Sequence, residues 1–143
     1  MTRETPILLV EDDILDVKNV KRAFREHRVA NPLFVTSNGE EALAFLRRSP
    51  PFTDPASSPT PGLILLDLNM PVMNGIEFLQ AYKQDASLQH LPTVVLSTSE
   101  EERDLVKSYR LGIAGYIVKP VDFAKFLDAM KTFDLYWALC AIP

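Results

Sequence analysis

A run of four apolar residues, Leu63-Ile64-Leu65-Leu66, opened by Gly62 and closed by Asp67, constrains this chain more than any other stretch. So short a run, rich in branched side chains and punctuated by Gly62 before it and Pro71 after it, reads as a strand buried on both faces of a parallel sheet. The carboxylate at its end then falls on the rim where open α/β sheets place their ligands. Asp67 is therefore the residue whose surroundings the rest of the chain must supply.

Similar runs recur at Ile7 to Val10, Pro32 to Thr36, Pro92 to Leu96 and Ala114 to Val118. The proline opening the second of these suits an edge strand. Helical spacing fills the intervals. Val17, Val20, Ala23 and Phe24 mark a helix from about Ile14 to Arg28; after a turn at Asn38-Gly39, Ala42, Leu43, Phe45 and Leu46 mark one from Glu40 to Arg48. Ile76, Phe78, Leu79 and Tyr82 define a third, ending near Ala86. Glu100, Glu101 and Glu102 suit the positive end of a fourth helix dipole, and that helix continues through Leu105, Val106, Tyr109 and Leu111 to a C′ residue at Gly112. Asp122 can cap the last helix, whose inward stripe is Phe123, Leu127, Met130 and Phe133, extended by Trp137. From Ser49 to Pro61 the prolines at 50, 51, 55, 59 and 61 exclude helix and central strand, leaving a surface loop that either spans a gap or contacts a partner.

Five strands alternating with five helices imply right-handed crossovers and an α/β fold: a doubly wound parallel sheet. Sequence alone leaves strand order open. The common five-stranded order 2-1-3-4-5 would set strands one and three side by side at a switch point. A chain of 143 residues fits one domain spanning 1–143. Nineteen acidic against fifteen basic residues give a net charge of -4 with no tail of one sign, a poor match to nucleic acid. Cys140 stands alone, which excludes an internal disulfide and suits a reducing cytoplasm, and the start of the chain reads as neither signal peptide nor membrane span. A cytoplasmic protein with no membrane partner is the expectation.

Each polar group of interest follows a strand: Glu11, Asp12 and Asp13 the first, Asp67 the third, Ser97 the fourth, Lys119 the fifth. Singly, each has a plain reading, as turn residue, helix cap or ordinary surface. Together they gather carboxylates that repel one another unless a cation or strong donors offset the charge. The chain's two histidines, His27 and His90, lie away from this rim, so ligation by oxygen alone favours a hard ion such as Mg²⁺. Asp12 and Asp67 are the carboxylate ligands on this reading, Glu11 acts through a bound water, and the Asn69 backbone carbonyl can also face the ion. With the Lys119 ammonium opposite, the pocket suits a phosphoryl group; an ionised Asp67 is the nucleophile, and Ser97 can donate to a phosphoryl oxygen.

The chain closely resembles the receiver domains of bacterial two-component response regulators. The likeness lies in Ile7-Leu8-Leu9-Val10-Glu11-Asp12-Asp13, in Leu65-Leu66-Asp67-Leu68-Asn69-Met70-Pro71 with Gly75, in Ser97, and in Tyr116-Ile117-Val118-Lys119-Pro120. It implies the flavodoxin-like receiver fold, Asp67 as phosphoacceptor, Glu11 and Asp12 as the acidic pair holding Mg²⁺, and catalytic support from Ser97 and Lys119. Tyr116 falls on the aromatic switch position, and Asn69 and Ser99 on variable positions that tune the lifetime of the phosphoryl group; read from the residue alone, Tyr116 could equally be packing. A narrower resemblance, to the small regulators paired with bacterial phytochromes, lies in Asn31-Pro32-Leu33, Asn38-Gly39-Glu40-Glu41-Ala42-Leu43, the proline-rich loop, Ser108-Tyr109-Arg110-Leu111-Gly112 and the aromatic tail. The chain departs from that group at Gly115 and in having Ser97 for the commoner threonine; neither change removes a functional group.

The resemblance implies a sensor histidine kinase as partner, a bacteriophytochrome by the narrower likeness. Tail composition and the family together point to a homodimer through helix 4, strand 5 and helix 5, with Tyr109, Phe133, Tyr136 and Trp137 at the interface. Asn69 stands where a haloacid-dehalogenase phosphatase needs a second aspartate, and the acidic loop after strand one opposes a flavin phosphate. The remaining alternative is a dimeric adaptor whose phosphorylation is vestigial.

Overall fold

The computed structural model describes residues 5–26, 31–97, 99–119, 124–126 and 128. Five parallel strands, β1 (Ile7–Val10), β2 (Leu33–Thr36), β3 (Leu63–Asp67), β4 (Thr93–Ser97) and β5 (Gly115–Val118), form one sheet in the order β2-β1-β3-β4-β5. Between them run α1 (Ile14–Glu26), α2 (Gly39–Arg47), α3 (Gly75–Lys83) and α4 (Glu100–Ser108). Residues 124–126 and 128 are also helical.

Alternation along the strands divides the core. Ile7, Leu9, Leu63, Leu65, Val94, Leu96 and Ile117 meet Val17, Val20 and Phe24 of α1 and Phe126 on one face. Leu8, Val10, Ile64, Leu66 and Val95 meet α2, α3 and Val106 of α4 on the other. The side chains of β1 and β3 ahead of the acids are wholly buried, each worth about 1.5–3 kcal/mol on leaving water. That burial on both faces is why these strands read as unbroken apolar runs. β2, which opens after Pro32, is an edge strand and only partly buried over Leu33, Phe34 and Val35.

Three local readings are corrected. Asn38-Gly39 is a helix start, not a separate turn: the Asn38 side chain accepts from Glu41 N at 2.8 Å, and Gly39 is the first residue of α2. Asn suits both roles, because the same side-chain oxygen that closes a turn can cap a helix. The fourth helix ends at Ser108 with Tyr109 as C-cap, short of Gly112, because Arg110 takes a left-handed φ of 52°; Gly112, φ 69°, serves the connection to β5. The third helix ends at Lys83 rather than near Ala86, and Asp85 follows with a turn closed by its own carboxylate on Ser87. The end of the first helix at Arg28, the Asp122 cap and the aromatic positions Phe133, Tyr136 and Trp137 lie outside the described residues.

The connection from β3 to α3 is fixed at both ends. Leu68 and Met70 are buried, Gly75 N donates to Leu68 O at 3.0 Å, and Gly39 N donates to Met73 O at 2.9 Å. Asn74 and Glu77 then form a reciprocal capping box on α3. Asp67 is thus held between a buried strand and a tethered loop.

Candidate active site at the carboxyl ends of the strands

Strand register brings the acids together. Val10 pairs with Leu66, so Glu11 and Asp67, the next residues, lie side by side at the carboxyl edge. Asp67 pairs with Leu96 and Ser97 with Val118, which sets Ser97 and Lys119 at the same edge. Backbone bonds extend the ladder past the strands: Glu11 N donates to Thr36 O at 2.9 Å and Lys119 N to Ser97 O at 2.8 Å.

A cavity of about 610 Å³ opens here, lined by Glu11, Asp12, Asp13, Asp16, Asp67, Asn69 and Lys119. Oxygens of Glu11, Asp12 and Asp67 all lie within 4.8 Å of one another. Glu11 and Asp67 are buried and Asp12 is exposed. The Lys119 ammonium donates to Glu11 Oε1 at 2.7 Å, to Asp16 Oδ2 at 2.8 Å and to Asp67 Oδ1 at 2.8 Å.

Burial pushes the Glu11 carboxyl up to about 7, against the opposing hydrogen bond from Lys119. Burial raises Asp67 as well, again opposed by Lys119. At Lys119 burial alone would lower the pKa, but the hydrogen bonds to Asp16, Asp67 and Glu11 outweigh it and hold the ammonium charged. Two buried carboxylates plus Asp12 and Asp16 still exceed the charge of one ammonium. Ligand oxygens sharing one Mg²⁺ lie at most about 4.2 Å apart, close to the 4.8 Å within which the oxygens of the acidic trio lie, so these residues fit such an ion.

The remaining site residues divide by role. Asn69 lines the cavity, and its amide nitrogen donates to the Glu102 carboxylate, joining the β3–α3 connection to α4. Ser99 is the N-cap of α4, accepting from Glu102 N at 3.3 Å. Ser97 is therefore relieved of capping; its Oγ is fully buried and has no hydrogen-bond partner among the described residues. Asp13 lines the cavity but is engaged with α1, its Oδ1 accepting from Leu15 N at 2.8 Å and its carbonyl from Val17 N at 3.0 Å. The Tyr116 ring, partly buried, lies under the Arg103 guanidinium at 5.2 Å and the Lys107 ammonium at 5.7 Å. Tyr109, the C-cap of α4, is exposed.

Asp16 is the site residue that sequence reasoning missed. An acid in the first turn of a helix already has a sufficient explanation in the helix dipole. Its place three residues after Asp13, in the first turn of the helix that follows the acidic run, is the signal that could have found it.

The model of the response regulator receiver domain family matches residues 7–131. The chain belongs to the response regulator receiver domains. Receiver domains take phosphoryl groups from histidine kinases, and the relatives of this one include phytochrome response regulators. It is 34% identical over 131 residues to the response regulator Rcp1 of Synechocystis sp., covering 92% of this chain and 87% of Rcp1. The Mn²⁺-bound form of Rcp1 superposes with a TM-score of 0.74 at 34% identity, over 94% of each chain. The bacteriophytochrome response regulator RtBRR matches with a TM-score of 0.88 and 39% identity, over 98% of this chain and 84% of RtBRR. The phosphorylated cyanobacterial phytochrome response regulator RcpA gives 0.75 and 35%, over 94% of each chain. Among the described residues, no helix of this receiver domain is long and apolar enough to cross a membrane.

Proposed function

We propose that this single receiver domain accepts a phosphoryl group on Asp67 from the phosphohistidine of a partner kinase of the bacteriophytochrome type, in the cytoplasm and with Mg²⁺. The observation that carries this is the Lys119 ammonium 2.8 Å from Asp67 Oδ1 while Glu11 and Asp12 hold oxygens within 4.8 Å of the same carboxylate. Glu11, Asp12 and Asp67 would hold the ion, with the Asn69 carbonyl as a further ligand. When bound, it neutralises charge on the phosphoryl oxygens and on the acids around them.

An oxygen of ionised Asp67 attacks phosphorus, the P–N bond to the donor imidazole breaks, and a P–O bond forms to give an acyl phosphate. No general base is required. Lys119 moves its ammonium from the carboxylates to a phosphoryl oxygen, and the Ser97 hydroxyl gains the acceptor it now lacks. Among the described residues Thr36 and Ser97 have buried hydroxyls without a partner, and of the two Ser97 ends the strand beside Asp67, which supports this role. Ser97 drawn toward the phosphoryl group leaves room for Tyr116 to turn inward, changing the face made by α4 and β5. Asn69 and Ser99 tune how long the acyl phosphate survives.

Output runs through protein contact, by a homodimer across α4, β5 and the last helix. Leu105, Tyr109 and Val118 expose apolar surface on that face, which supports the reading; Phe133, Tyr136 and Trp137 would extend it. Incubation with a phosphorylated bacteriophytochrome kinase tests the function. Label should pass to the wild-type chain and not to Asp67→Asn, and chelation of Mg²⁺ should stop it. Label retained by Asp67→Asn at full stoichiometry would refute the assignment. Light scattering at high micromolar concentration tests the dimer; a monomer with and without a phosphoryl analogue would refute it and leave the transfer untouched.

A further inference from the structure

At the opposite edge of the sheet, where chain enters β4 and β5, a second cavity of about 710 Å³ lies between the end of α3 and the two connections that follow α3 and α4. Its lining includes Lys83, His90 and Arg110 together with Gln80, Gln84 and Gln89, and no carboxylate among the described residues. That is a local reversal in a chain with more acidic than basic residues. Lys83 is partly buried, donates to Gln89 O at 3.2 Å and Gly112 O at 3.3 Å, and belongs to none of the ion pairs among the described residues. Asp85, the acid nearest in sequence, is occupied elsewhere: it accepts from Ser87 and pairs with Arg47 of α2 at 3.7 Å. Burial without a counter-charge lowers the Lys83 pKa, as expected of a cation that lacks an anion. Arg110 is exposed at the cavity mouth, on a backbone held at the unusual φ of 52°.

We infer that this cavity binds a small organic phosphate of nucleoside-monophosphate size, its phosphate between Lys83 and Arg110 and its polar body against the glutamine amides. A fixed ammonium and a guanidinium fork match a dianionic phosphate, and charge-assisted bonds to it exceed those to a neutral ligand. The volume falls in the range of small-molecule sites and exceeds what a bare phosphate fills. Glutamine amides, each both donor and acceptor, suit the hydrogen-bonding edge of a base or sugar. The cavity is separate from the Asp67 rim, so the inference stands apart from the phosphoryl transfer proposed above.

The test is titration of the ¹⁵N-labelled full chain with adenosine monophosphate in excess EDTA, which keeps metal-assisted binding at Asp67 out of the readout. The expected result is saturable shifts at the amides of Gln89, Arg110 and Gly112 with those of Glu11 and Asp67 unmoved. Inorganic phosphate should shift the same amides with weaker affinity, and adenosine should not. Arg110→Asn, a residue that tolerates the same backbone angle, should weaken the nucleotide about tenfold or more. Absence of saturable shifts at these amides up to about 10 mM, shifts confined to the Asp67 rim, equal binding of adenosine, or an Arg110→Asn variant that binds as well as wild type would each overturn the inference. Phosphate binding as tightly as the nucleotide would overturn the organic part of it.

Discussion

Gly75 lies so close to Asp67 that a Cβ on the glycine would stand 2.6 Å from the Asp67 carbonyl oxygen and 2.8 Å from Leu68 Cα. Both neighbours are backbone of the strand end that carries the carboxylate, and neither can swing aside as a side-chain tip could. Gly75→Ala should therefore cost about 1–3 kcal/mol and displace Asp67 from Lys119. Denaturant unfolding and the rate of labelling by a small phosphodonor would both register it; wild-type values for both would contradict the packing.

Lys119 compensates two buried carboxylates in the absence of a divalent ion. Lys119→Met should destabilise the metal-free protein by about 3–5 kcal/mol, the usual result of leaving buried charge unpaired. Mg²⁺ should recover more stability in this variant than in wild type, because the ion replaces the lost cation. Thermal melts with and without Mg²⁺ check this, and an equal Mg²⁺ increment in both proteins would contradict it.

The Glu11 carboxyl, pushed up to about 7 by burial, must lose its proton to ligate a metal. The folded metal-free chain binds more protons than the unfolded chain between the ordinary glutamate pKa and about 7, so its stability falls as pH rises through that window. Mg²⁺ affinity should do the reverse, tightening by up to about tenfold per pH unit below 7 and levelling off above it. Calorimetric titration across that range would show the slope; affinity independent of pH would contradict it.

Val72 carries a β-branched side chain at φ 68° with three-quarters of its surface exposed. Relief of that backbone conformation in Val72→Asn should stabilise the fold by about 1 kcal/mol, read as a shifted denaturation midpoint. A destabilised variant would show that the valine makes packing contacts worth more than its strain.

How much could be read beforehand follows from burial. β1 and β3 are sealed on both faces, so their residues had to be apolar without interruption, and the first polar residue after each marked the rim. Right-handed crossovers then brought Glu11, Asp12, Asp67, Ser97 and Lys119 to one edge. Where an element buries less, its ends were less legible: α4 buries only Val106 among its apolar positions, and nothing in the residue type announces that Arg110 turns left-handed. Asp16 was hidden because one side chain satisfies two explanations, helix dipole and ion pair. Read from residue type alone, Ser97 and Ser99, two residues apart, could each cap α4, and the fold gives that role to Ser99.

Phosphorylation at Asp67 itself is the most direct measurement. Intact mass and peptide mapping after treatment with a small phosphodonor such as acetyl phosphate should show one phosphoryl group on the peptide containing Asp67 when Mg²⁺ is present, and none when it is chelated or when Asp67 is replaced by Asn. A phosphoryl group on another residue, or none with Mg²⁺ in excess, would contradict the reading of this rim as a phosphoacceptor site.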